Sequence, residues 1–148
     1  MKKIILALDE IENLEDAVVL VKKIGHLFYA IKIHNLYDKF GPEAVRLLKE
    51  AGAEKVWVDF KIYDIPNTAK LRALNIFADI VSVHASGGVN MMKEAVSSGV
   101  KIFLTIVSST AICAVAKGIN NKTKSITKLF FFIIYSSLHL LYLNFLYY

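Results

Sequence analysis

The stretch "VWVDFKIYDIPNT", Val56–Thr68, decides how the chain is read. It opens as an apolar, β-branched and aromatic run, the pattern of a strand. It then sets Asp59, Lys61 and Asp64 at the far end of that run, with Pro66 close behind. Charges in such a place are costly to desolvate, so they must pair with one another or act on a ligand. Period-two geometry puts Asp59 and Lys61 on one side of the strand and Val58 and Phe60 on the other. Asp64 falls past the strand end, where it can reach sideways or toward a neighbouring subunit. Two carboxylates flanking an ammonium would hold it protonated and in place. A surface ion-pair cluster at a strand end is the alternative that the bare D-x-K-x-x-D spacing leaves open.

Working outward, the same beat repeats on both sides. "KIILALD" is a short apolar run ending in an acid, and "NLEDAVVLVKKIG" follows with helical spacing that stops at Gly25. "YAIKIH" precedes "GPEAVRLLKEAG", which has Pro42 at a helix start and Gly52 past its end. After the Val56 run, Asn67 or Thr68 is positioned to cap a helix through "AKLRALNIF". "DIVSVHA" is followed by "GVNMMKEAVSSG", and "VKIFLTIVSS" reads as a fifth strand. Strands apolar on both faces and alternating with helices predict an α/β fold with a parallel sheet. Polar residues stand at each strand's carboxyl end: Asp9, Lys32 with His34, Asp59 with Lys61, His84 with Ser86, Thr105 with Ser108. In a (β/α)8 TIM barrel that end carries the site. Such a barrel takes about 250 residues, whereas this chain of 148 residues shows four βα units and a fifth strand.

Charge divides the chain in two. All 13 acidic residues lie between Asp9 and Glu94, and the 14 Lys and Arg up to Thr110 nearly balance them. From Ala111 onward there are four lysines and no acid. The net charge of +5 therefore belongs to the tail and is not a nucleic-acid footprint. We divide the chain into residues 1–110, the barrel part, and 111–148, a Lys-containing linker followed by the uncharged apolar segment 129–148. That segment is long enough to span a bilayer, so a membrane anchor is possible through 129–148 alone. Its Phe, Tyr, Ile, Leu and Asn composition points instead to a truncated or frame-shifted product. The single cysteine, Cys113, excludes an internal disulfide and suits a reducing cytosol. "MKKIILALDE" meets acids too early for a signal peptide, so a cytoplasmic protein is expected.

The wider string "DFKIYDIPNT" resembles the signature of the orotidine 5′-phosphate decarboxylase family, D-[LF]-K-x-x-D-I-P-N-T. "LALD", "AIKI", "LYDKFGPEAVRLLKEAG", "VSVHASGG" and "KIFLTIVSS" are similar to that family's successive segments, in the same order. The resemblance implies a TIM barrel, a homodimer, and decarboxylation of orotidine 5′-phosphate to UMP in pyrimidine biosynthesis without cofactor or metal. It implies that Asp59 opposes the substrate carboxylate and that Lys61 stabilises the C6 carbanion and protonates it. It assigns Lys32 to Asp59 and the ribose, Asp9 to the ribose, Asp64 to the ribose from the partner subunit, Ile65 and Thr68 to the site wall, and Ser108 to the base.

Some residues depart from the pattern or fall outside it. His34 stands where the resemblance leads us to expect glycine, so a crowded turn is expected after Lys32. His84 reads as a packing residue at the barrel top, and Ser86-Gly87-Gly88 is only a weak phosphate-loop signal. The Gln and Gly-Arg that grip phosphate in the family have no counterpart: the chain has no Gln, and no Arg after Arg72. Without further strands, an exposed sheet edge is expected at the fifth. Two other functions fit the same motif in part. One is a Mg²⁺-dependent relative that decarboxylates or aldol-cleaves a sugar phosphate. The other is a non-catalytic, tail-anchored fragment.

Overall fold

The computed structural model describes residues 4–105 and the backbone of Phe130–Phe131. Five strands alternate with helices: β1 (Ile5–Ala7), α1 (Leu14–Ile24), β2 (Ala30–Ile33), α2 (Asn35–Phe40), α3 (Pro42–Glu50), β3 (Val56–Ile62), α4 (Pro66–Asn75), β4 (Ile80–His84), α5 (Gly88–Ser97) and β5 (Lys101–Thr105). All neighbouring strands are parallel and sit in sequence order, β1-β2-β3-β4-β5. A two-residue strand β6 (Phe130–Phe131) pairs with β5, Phe103 opposite Phe130 and Leu104 opposite Phe131. The edge expected to be bare at β5 is therefore partly covered. The rest of the tail, with Cys113 and most of segment 129–148, lies outside the described residues. No helix among the described residues is long and apolar enough to cross a membrane.

Alternation along the strands separates two apolar layers. Ile31, Ile33, Val56, Val58, Val81, Val83, Ile102 and Leu104 face the helices and form the main core with Ala17, Val21, Leu48, Ala69 and Met91. The opposite sheet face carries a second cluster, Ala30, Trp57, Ile80 and Phe103, with the Trp57 and Phe103 rings 4.3 Å apart. In a closed barrel this second face is the interior.

Local signals explain most element ends. Asn13 caps α1, its side chain accepting from the Glu15 amide at 2.9 Å, and Pro42 opens α3. One expectation needs correction. Asn67 and Thr68 do not cap α4: Ile65 is the extended residue before the helix and Pro66 takes the first helical position. Proline wins because it has no N–H to satisfy there and its φ is already helical. A further short helix, α2, also begins directly after His34.

Candidate active site

The charged residues meet at the carboxyl ends of β1, β2 and β3. Asp59 lies at the centre, only 2% exposed. Its Oδ2 accepts from Lys61 Nζ at 2.9 Å and from Lys32 Nζ at 3.4 Å. Lys32 Nζ also donates to Asp9 Oδ2 at 2.6 Å. The result is an alternating row, Lys61–Asp59–Lys32–Asp9, running from β3 to the residues just after β1. Asp9 and Lys61 form its more exposed ends, with Lys32 between.

The far side of Asp59 is held from below. Ser82 of β4 donates its hydroxyl to Asp59 Oδ1 and accepts from the indole Nε1 of Trp57 at 3.0 Å. Burial alone would push the Asp59 carboxyl up. The Ser82 hydroxyl and the Lys61 and Lys32 ammonium groups outweigh it and hold the carboxyl below its ordinary value. Asp59 is thus a fixed, charged carboxylate in a place where charge is expensive, the cost offset by three polar neighbours, Ser82, Lys61 and Lys32, rather than by water. Ser82 and Trp57 were not singled out from the sequence. The available signal was a lone hydroxyl, Ser82, inside the apolar run "DIVSVHA".

Lys61 reaches Asp59 through an irregular backbone. Val58 pairs with Val81 and Ile62 with Val83, so β3 spends four steps where β4 spends two. Within this bulge Lys61 takes φ 52°, the left-handed region that a lysine rarely enters. Among the described residues the only other non-glycine there is Phe77. The alternation nevertheless survives: Trp57, Asp59 and Lys61 share one side, whereas Val58 and Ile62 join the helix-side core.

Other site candidates stand nearby or apart. Asp64 does not join the row within this chain. Its carboxylate pairs with Arg72 Nε at 3.5 Å and accepts from the Ile65 amide at 2.9 Å. Ile65 is 68% exposed and Thr68 is half-buried in the first turn of α4. Ser108 lies outside the described residues. His34 sits on an irregular backbone, φ −133° and ψ −82°, in keeping with the crowded turn expected there; its side chain is half exposed and its Nδ1 lies 3.1 Å from the Asp59 carbonyl oxygen. His84 packs edge-on against Tyr63, ring centroids 6.1 Å apart. Its Nδ1 is buried and meets no hydrogen-bond partner among the described residues. Burial, reinforced by the Lys61 charge, lowers its pKa.

Fold and site together define a chain of the (β/α)8-barrel class that carries a lysine–aspartate row at the carboxyl ends of its first three strands. Residues 2–127 match the family described as "Orotidine 5'-phosphate decarboxylase / HUMPS family", and the chain belongs to that family. Among curated relatives, the orotidine 5′-phosphate decarboxylase of Streptococcus thermophilus is 52% identical over 63 residues, 40% of this chain and 27% of the relative. That of Halalkalibacterium halodurans is 40% identical over 100 residues, 64% of this chain and 41% of the relative. Among solved structures, orotidine 5′-monophosphate decarboxylase from Methanocaldococcus jannaschii superposes with a TM-score of 0.67 at 26% identity, over 76% of this chain and 59% of that one. An uncharacterized conserved protein from Geobacillus kaustophilus gives 0.61 at 29% identity, over 72% and 55%. The chain therefore spans less than half the length of these curated relatives.

Proposed function

We propose that this chain carries the charged half of a site that decarboxylates orotidine 5′-phosphate to UMP. The observation that supports it most is the Lys61–Asp59–Lys32–Asp9 row, built on three consecutive strands around a buried carboxylate. Asp59 cannot relax away from a second carboxylate placed against it, because Ser82 and two ammonium groups fix it. Substrate repulsion there is relieved as CO₂ leaves. The electron pair left on C6 of the pyrimidine is stabilised by the Lys61 ammonium, which then transfers its proton to C6. Ammonium and carboxylate supply the whole reaction, so the reading needs no cofactor or metal. Lys32 and Asp9 extend the row outward, where ribose hydroxyls can be bound.

The same reading makes the protein a cytoplasmic homodimer acting on a small nucleotide. In one chain Asp64 turns to Arg72 rather than Lys61, and Tyr63 and Ile65 beside it are 64% and 68% exposed. Such placement suits residues that complete a partner's site. The curated relatives reported above carry the decarboxylase name, which favours this reading over the sugar-phosphate alternative. The test is UMP formation from orotidine 5′-phosphate by the 148-residue chain and by its Lys61→Ala variant. We expect slow turnover in the first, because the chain has no Gln and no Arg after Arg72 to hold the phosphate, and none in the second. No turnover by the unmodified chain, or equal turnover by both, overturns the reading.

A further inference from the structure

The turn between β4 and α5, Ala85–Gly87, is unexplained by the row of charges, as is a fully buried methionine just after it. Met91 of α5 is 1% exposed, and its Sδ accepts from the backbone N–H of Asp64 at 3.3 Å. A Cβ built on Gly87 would overlap Sδ and Cε of that same side chain. Gly87 itself has φ −69°, a conformation open to any residue, so its backbone does not demand glycine. What a larger residue there would displace is the end of the Met91 thioether.

We infer that Met91 is a positioning residue for Asp64, and that Gly87 is glycine to leave room for it. A part-buried amide needs an acceptor, and a thioether is a weak one that three rotatable bonds can aim. The other contacts of Asp64 are a partly exposed pair with Arg72 and a turn bond to its neighbour Ile65, and neither fixes the height of the loop above the core. Met91 does so from the core side. The weak phosphate-loop signal in Ser86-Gly87-Gly88 is thereby accounted for at Gly87 by packing.

Two substitutions on either side of the contact test this. Met91→Leu keeps the volume and apolarity but removes the acceptor. Gly87→Ala leaves the Met91 sulfur in place but takes the space its end occupies, so the thioether must swing away from Asp64. In the full 148-residue chain, amide exchange followed by NMR is expected to quicken at Asp64 by about tenfold in each variant. The double variant should exchange no faster than either single one, since both remove the same contact. The Ile31 amide, bonded to the Lys55 carbonyl at 2.9 Å in the sheet, should be unaffected. Unchanged exchange at Asp64 in both variants overturns the inference. So does quickening shared by Ile31, which would mean loss of global stability.

The consequence for turnover rests on the proposed function: KM for orotidine 5′-phosphate should rise severalfold in both variants with kcat less affected. Faster exchange at Asp64 with unchanged KM would uphold Met91 as its anchor and remove Asp64 from the ribose site.

Discussion

Replacing Ser82 by alanine probes the support beneath the charged row. Ser82 is fully buried, and its one hydroxyl serves two neighbours, accepting from Trp57 Nε1 and donating to Asp59 Oδ1. Ser82→Ala opens almost no cavity, so its cost is that of leaving an indole N–H and one carboxylate oxygen without a partner. At about 1–3 kcal/mol for each buried group stranded, and with Asp59 still held on its other oxygen, we expect a loss of roughly 2–4 kcal/mol. Taken over the roughly 100 described residues, that is a fall in Tm of roughly 10–20 °C. Urea unfolding followed by the fluorescence of Trp57, the sole tryptophan, measures it directly. The pH dependence adds a second check. Asp59 has a folded pKa below its ordinary value, so its contribution is complete above about pH 4 and disappears as pH falls through the folded value. Removing Ser82 lets that pKa rise and shrinks the contribution, so the gap between wild type and variant should narrow on acidification below about pH 4. A loss below about 1 kcal/mol at pH 7 with an unchanged m-value would refute the argument that these groups depend on Ser82.

Two further outcomes follow from the geometry. His84 has a folded pKa lowered by burial and then by Lys61, with Asp59 opposing, so its neutral form stabilises the fold above about pH 6.5 and that contribution is lost as pH falls below it. His84→Phe keeps the edge contact to Tyr63, and comparing its urea midpoints with wild type from pH 7.5 to 5 should show that it lacks this acid-side loss. Gly41, between α2 and α3, has φ 59° and ψ −144°, with open space where a Cβ would stand. Gly41→Ala should cost about 1–3 kcal/mol through backbone strain alone, read as a lower thermal midpoint with unchanged far-UV circular dichroism at 20 °C.

Much of this was legible in the sequence because the signals were local or periodic. Apolar runs broken by Gly and Pro marked each βα unit, and period two put Asp59 and Lys61 on one side. The parts that were not legible depend on what lies across the sheet. Nothing in "DIVSVHA" says that Ser82 will stand between Trp57 and Asp59, because that follows from the β3–β4 register and its bulge. The helix cap at Asn67 or Thr68 failed for a local reason: Pro66, one residue earlier, was the stronger signal. His34 was expected to crowd its turn, and its backbone there, at φ −133° and ψ −82°, is neither helical nor extended. The extra helix α2 has only six residues, too few for periodicity to declare itself.

The left-handed backbone at Lys61 has a consequence for how this position responds to change. Glycine or asparagine would rest there with less strain, and an extended backbone would suit lysine better. Neither would carry an ammonium to Oδ2 of Asp59 from this bulge. The strain persists because the ammonium it delivers helps to hold the buried Asp59 charge, so replacing Lys61 would relax the backbone only by leaving that carboxylate short of a partner.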